Sequence, residues 1–159
     1  MAKKWEDILS KYLDEKDIKI LKILNKNANI SDAKIAREIG LSKTTVRMRR
    51  LRLENKQILR VVGVIVLQNL GVPYADILVK LKNVKELREN YIKSLISNEL
   101  IYEITEYVGE WDLLVRVFHS DPVQLKGEIL TIINHDAVMD YKINFAIRSH
   151  KAWGATILQ

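Results

Sequence analysis

The sequence predicts an α+β protein in two parts, a helical N-terminal part and a C-terminal part ordered β-α-β-β-α-β. Three observations predict it. Before "QNLGVP" (residues 68–73) apolar residues mostly recur three and four apart, the spacing of one helix face. After the breakers Gly71 and Pro73, runs of alternating apolar residues take turns with helical ones. The charge is segregated as well: residues 1–72 hold 16 Lys and Arg against 8 Asp and Glu, and residues 73–159 hold 10 against 12, so +8 and −2 make up the net +6. The expected organisation is a helical domain over residues 1–57, a linker strand and loop over 58–73, and a second domain over 74–159.

In the helical part, Trp5, Ile8, Leu9 and Tyr12 share one face of a short first helix. Asp14 is placed to cap a second helix whose core stripe is Ile18, Leu21 and Leu24, and Asn25 to Asn29 form a polar loop. Ser31 caps a third helix with the apolar face Ile35, Ala36 and Ile39. Gly40 sits just past its end, where a left-handed residue is needed and the missing Cβ avoids a clash. Ser42 then caps the stretch "SKTTVRMRRLRLENK".

Read by twos, Arg-Met-Arg-Arg-Leu-Arg-Leu in that stretch looks like a strand. Context favours a helix, because a strand would leave Gly40 and Ser42 without a role. A helix, a glycine turn and a second capped helix make a helix-turn-helix, with Ala36 at the crossing and Val46 pointing into the angle.

In the second part, "YADILVKLK" is a strand, and residues 84–97 are a helix with the stripe Val84, Leu87, Tyr91 and Leu95. "IYEITEYV" and "DLLVRVFH" are strands joined at "GEW". In "SDPVQ", Asp121 is the cap, Pro122 the first helical residue and Gln124 the capping-box residue of a helix with the stripe Leu125, Ile129, Ile132 and Ile133. Tyr141, Ile143, Phe145 and Ile147 alternate with polar neighbours in a half-buried last strand, and Trp153 to Leu158 is a candidate edge strand or arm. This order is that of a ferredoxin-like βαββαβ sandwich domain.

Composition bounds the function. The absence of cysteine excludes a disulfide framework and a thiolate metal site and suits a reducing cytosol. No apolar run has the length of a membrane span, and the N-terminus lacks the apolar core of a signal peptide, so a soluble cytoplasmic protein is expected, with no membrane partner. Within residues 34–60 there are 9 basic and 2 acidic residues, the electrostatic footprint of a polyanion binder. A basic pI without any partner is the bland alternative.

The outward face of the fourth helix would enter the major groove of double-stranded DNA. Its candidate DNA-binding residues are Ser42, Lys43, Thr44, Thr45, Arg47, Met48, Arg49, Arg50 and Arg52. Thr44 and Thr45 suit a thymine methyl or a hydroxyl hydrogen bond, Arg47 a bidentate guanine contact, and Met48 an apolar contact. Arg49, Arg50 and Arg52 are expected at phosphates, setting affinity and salt dependence. For any single arginine the competing reading is a solvated helix face.

The stretches "LDEKDIKILKILNKNANIS", "KIAREIGLSKTTVRMR", "RLRLE" and "VGEWDLLVRV" together resemble the Lrp/AsnC family of transcriptional regulators. The resemblance runs from Leu13 to about Ile147. It implies a DNA-binding helix-turn-helix domain, a linker strand over residues 58–67, and a second domain that pairs its sheet face with another subunit. Such dimers often assemble into tetramers, octamers or larger discs. It also implies an amino-acid effector, and no other cofactor, near a Gly-x-x-Asp hairpin; by position this points to Gly109, Glu110 and Asp112, with Thr105 on the preceding strand. There Gly109 would supply a carboxylate nest and Asp112 an acceptor for the ammonium. A plain tight hairpin, with Gly109 supplying positive φ, is the alternative.

Three positions depart from the family pattern. Arg50 stands where an apolar residue usually packs, so Arg50 is expected to snorkel outward or Leu51 to take part of the packing. Gln57 stands where the family has Gly, and the leader before Leu13 is long. Two other function classes remain: a nucleoid-type DNA organiser with little sequence preference, and a tetrapyrrole decarboxylase. The enzyme is disfavoured because His119, His135 and His150 show no catalytic or metal-binding spacing, so no catalytic or metal residue is expected.

Overall fold

The structure is a computed structural model, and it describes residues 4–152 together with 155–156. They fall into two compact units, one within Met1–Val64 and Lys151–Thr156, the other within Ile65–His150.

In the first unit, α1 (Trp5–Leu9) buries no residue; Trp5 and Ile8 stay exposed on it, as does Tyr12 beyond its end. Helix α2 (Glu15–Lys26) starts where the Asp14 carboxylate accepts the Asp17 amide at 2.9 Å. Helix α3 (Asp32–Ile39) is capped by Ser31 and ends at Gly40, whose φ of 68° is left-handed. The Gly40 and Leu41 amides both return to the Ala36 carbonyl. Helix α4 (Lys43–Asn55) opens with Ser42 Oγ accepting the Thr45 amide at 3.0 Å. Lys16 Nζ donates to the Ile39 carbonyl at 2.7 Å, placing a cation at the C-terminal end of α3 where the helix dipole favours one. Ile20, Leu24, Ile35, Ala36, Ile39 and Val46 form the core, and Leu41 and Leu59 pack on it.

Two expectations change here. On α2, Ile18 and Leu24 are buried as expected, but Leu21 is only half-buried, and Ile20 and the carboxylate of Asp17 complete the inward face in its place. Residues 58–66 form no strand; a 3-10 turn follows at Leu67–Leu70. A strand needs a paired edge, and among the described residues no strand pairs with this segment; the Ile65 amide and carbonyl meet the Tyr102 hydroxyl, and Val61, Val62, Val64 and Ile65 stay exposed.

In the second unit, β1 (Tyr74–Leu81), α5 (Lys85–Ile96), β2 (Ile101–Glu106), β3 (Leu113–Phe118), α6 (Pro122–Ile133) and β4 (Val138–Phe145) build an antiparallel sheet of order β2-β3-β1-β4. The period-2 pattern orients it. Ala75, Ile77 and Val79 lie opposite Val117, Val115 and Leu113, and these side chains form one core with Tyr91, Leu95, Leu125, Ile129 and Ile132 of the two helices. Asp121 caps α6 by accepting the Val123 and Gln124 amides. Val84 is the exposed residue before α5 and does not join its stripe.

The last strand is less buried than its alternation predicts. Tyr141, Ile143 and Phe145 oppose Val79, Ile77 and Ala75, but β4 is a sheet edge, and of these three Ile143 alone packs on the core, along with Val138 at the start of the strand. Tyr141 and Phe145 are 45% and 65% exposed, and Ile147 lies beyond the strand. Leu113, Val115 and Val117 are covered by helices. The face without helices carries Asp76, Leu78, Lys80, Leu114 and Arg116. On it Arg116 grips Asp76 through Nε (2.7 Å) and Nη2 (2.9 Å) and Glu103 through Nη1 (2.9 Å). Lys151–Ala152 (β5) and Ala155–Thr156 (β6) pair with each other and do not extend the four-stranded sheet; Trp153 and Leu158 of the expected arm lie outside the described residues.

Candidate nucleic-acid interface

Helix α4 divides its residues cleanly. Val46 and Leu53 are inside. Thr44, Arg47, Met48, Leu51 and Asn55 are exposed, and at spacings of three and four they form one stripe. Neither Arg47 nor Lys43 forms an ion pair among the described residues, so their charge is available to a polyanion. Leu51, expected to share the packing, is instead 41% exposed beside Met48.

The cap residues are occupied. Ser42 Oγ and Thr45 Oγ1 are 2.8 Å apart and hydrogen-bonded, which fixes Thr45 in the cap and leaves Thr44 as the free hydroxyl on the stripe.

The remaining arginines of α4 are ion-paired within the unit. Arg49 donates to Asp14 and, at 2.9 Å, to Asp17; Arg52 donates to Asp17. Asp17 is 2% exposed, the one buried charged residue among those described. The Asp14 and then the Asp17 hydrogen bonds raise the Arg49 pKa. At Asp14, burial pushes the carboxyl up, but the Arg49 hydrogen bond and the Asp17 amide outweigh it and hold the group below its ordinary value. Arg50 Nε donates to Glu54 at 2.9 Å, four residues on, and Nη1 to Asp32 at 3.3 Å. This is the outward course expected of Arg50, with two carboxylates waiting at its end. Arg49, Arg50 and Arg52, the residues expected at phosphates, are thus ion-paired within the unit, and the pairs tie α4 to the start of α2 and to α3.

The Asp14 and Asp17 partnership was not legible, since nothing in the sequence says which carboxylates lie under α4. The Arg50–Glu54 pair, not anticipated either, has a sequence signal in its i,i+4 spacing.

The hairpin residues form a second cluster. The Asp112 amide donates to the Val79 carbonyl and the Tyr107 amide to the Asp112 carbonyl. The Asp112 carboxylate accepts the Leu81 amide at 2.7 Å and Arg88 Nη2 at 3.1 Å. The Leu81 amide, aided by Arg88, holds the Asp112 carboxyl below its ordinary value. Asp112 is thus a brace between the hairpin, β1 and α5. Gly109 does not take positive φ, so neither a left-handed nest nor a strained turn accounts for it. Glu110 is exposed at the tip, and Thr105 Oγ1 donates to Glu103 at 3.2 Å.

Comparison with known proteins completes the picture. Residues 13–54, which span α2 to α4, match the AsnC-type helix-turn-helix domain. An HTH-type transcriptional regulator of Pyrococcus horikoshii is 39% identical over 142 residues, 87% of this chain and 89% of that protein. The HTH-type transcriptional regulator Ptr1 of Methanocaldococcus jannaschii is 39% identical over 122 residues, 74% of this chain and 79% of that protein. Among solved structures, a transcriptional regulator from Neisseria meningitidis in complex with L-Met superposes with a TM-score of 0.76 at 25% identity, covering 88% of this chain and 93% of that one. With its helix-turn-helix, its four-stranded sheet domain and these relatives, the chain belongs to the Lrp/AsnC family of DNA-binding transcriptional regulators.

Proposed function

We propose that this regulator reads its operators through the outward stripe of α4, with Thr44, Arg47 and Met48 at base edges and Lys43 at a phosphate. The observation that carries this is the split of the helix: its buried residues seat it, Asp14, Asp17, Asp32 and Glu54 neutralise three of its arginines, and the outward residues are left free. The same split disfavours a nucleoid-type organiser, whose affinity would need those three charges. Selection of duplexes from a random pool, followed by footprinting, tests it. Protected sites sharing a sequence and spaced by about 10 bp or its multiples support a specific regulator; uniform coverage refutes it.

The helix-free sheet face suits pairing with a second copy. It is a partly apolar surface around Leu78 and Leu114, and Arg116 is already neutralised on it, so burying it strands no lone charge. An amino acid is the proposed effector, by analogy with the L-Met complex of the Neisseria meningitidis protein. Its site would lie at the hairpin of Thr105, Gly109 and Glu110, with Asp112 as the brace. Titration of the protein with each of the twenty amino acids, read by calorimetry, tests this; no heat from any of them refutes it.

A further inference from the structure

We infer that Met48 and Leu51 form an apolar reader for the 5-methyl groups of neighbouring thymines in the major groove. The inference rests on the DNA-recognition reading above and adds the chemistry of the base it selects. Both side chains stand out of the protein, 63% and 41% exposed, although Val46 and Leu53 already supply the buried side of the helix. Neither belongs to the core of the unit. Three residues apart, they are neighbours on one helix face, separated along the axis by about 4.5 Å. Successive base pairs are stacked about 3.4 Å apart, so the pair can span adjacent steps.

Duplex DNA is the occupant that the surroundings favour. Arg47 lies on the same stripe and Lys43 at the start of the same helix, neither of them ion-paired among the described residues. An apolar pair so placed meets a polyanion at its rim. Within the major groove, the thymine methyl is the apolar feature that distinguishes one base pair from the others. A polar base edge facing Met48 and Leu51 would lose its water and gain no partner, so the pair also rejects cytosine at those steps.

The test takes the full-length protein and a duplex selected from a random pool, synthesised once with thymine and once with deoxyuridine in its place. Burying one methyl group is worth about a fourfold change in affinity, so one or two contacts predict a thymine preference of about four- to fifteenfold. In the Met48→Ala/Leu51→Ala protein, and in Met48→Gln/Leu51→Gln as a length-conserving control, that ratio is expected to fall to about one, with the circular dichroism spectrum unchanged because both positions are exposed. Comparing ratios cancels any effect of uracil on the duplex itself. Equal binding of both duplexes by the unaltered protein overturns the inference while leaving specific recognition intact. A preference that survives in both variants places the methyl contact elsewhere and overturns it too. A pool that converges on no shared sequence sinks the reading on which the inference stands, and the inference with it.

Discussion

Asp17 is 2% exposed and holds two arginines of the recognition helix, so the stability of this ion-pair network depends on which partner is removed. Arg49→Ala leaves Arg52 on Asp17, and Arg52→Ala leaves Arg49; these side chains are 27% and 50% exposed, so each loss is discounted for solvent to about 1 kcal/mol. Asp17→Asn removes the buried charge and lets both arginines turn to water and to Asp14, at about 1–2 kcal/mol. The double variant Arg49→Ala/Arg52→Ala strands a buried carboxylate beside Asp14 with no cation at all. That costs about 3–5 kcal/mol, more than the sum of the singles. Adding Asp17→Asn to the double variant removes the stranded charge, and about 2 kcal/mol should return. The assay is urea unfolding followed by circular dichroism at one fixed protein concentration, since association shifts apparent stability. If the double variant loses no more than the two singles together, and Asp17→Asn restores nothing, the network is a set of surface pairs and the reasoning fails.

Other consequences are simpler to read. Gln57 holds φ at 56°, a left-handed conformation that costs a side-chain-bearing residue about 1–2 kcal/mol and glycine nothing. Glycine loses about 0.5–1 kcal/mol of chain entropy on folding, so Gln57→Gly should stabilise by up to about 1 kcal/mol in the same urea assay, and Gln57→Val should destabilise. Asp112, whose carboxyl is held below the ordinary 3.8, contributes stability that is full above that value and is lost as pH falls through its lowered folded value. An acid titration of Asp112→Asn should therefore show a shallower loss below about pH 4 than the unaltered protein, from a lower starting stability; identical titrations would contradict the brace. Leu114→Asp on the helix-free sheet face should convert the sedimenting species to monomer if that face pairs subunits, and an unchanged sedimentation coefficient would exclude it.

Much of this architecture was legible because each element carries its own local signal. The Asp14, Ser31, Ser42 and Asp121 caps sit where the sequence puts them, and Gly40 adopts the left-handed turn its position demands. The alternation in residues 113–117 and 75–79 set the faces of the central strands. What escaped notice depends on long-range company. Alternation in residues 141–147 promised burial, but an edge strand has a neighbour on one side only. Apolar residues 58–66 looked like a strand, yet strand formation is decided by a partner edge. Most instructive is α4, where five cations in ten residues read as one basic surface. The carboxylates of Asp14, Asp17 and Asp32, 18 to 35 positions away along the chain, pair with three of them. Charge counting sees the sum and misses the pairing.

The central claim is that the outward stripe of α4 chooses the sequence while its other arginines hold it in place. Binding-site selection with the unaltered protein and with Arg47→Ala and Arg52→Ala tests it most directly. The account predicts that Arg47→Ala changes the preferred base at one position, typically worth about 1–3 kcal/mol of discrimination, whereas Arg52→Ala returns the original sequence with its salt dependence unchanged and its folding stability lowered. The account is contradicted if Arg47→Ala returns the same sequence and loses affinity equally on selected and random DNA, while Arg52→Ala flattens the salt slope by about one.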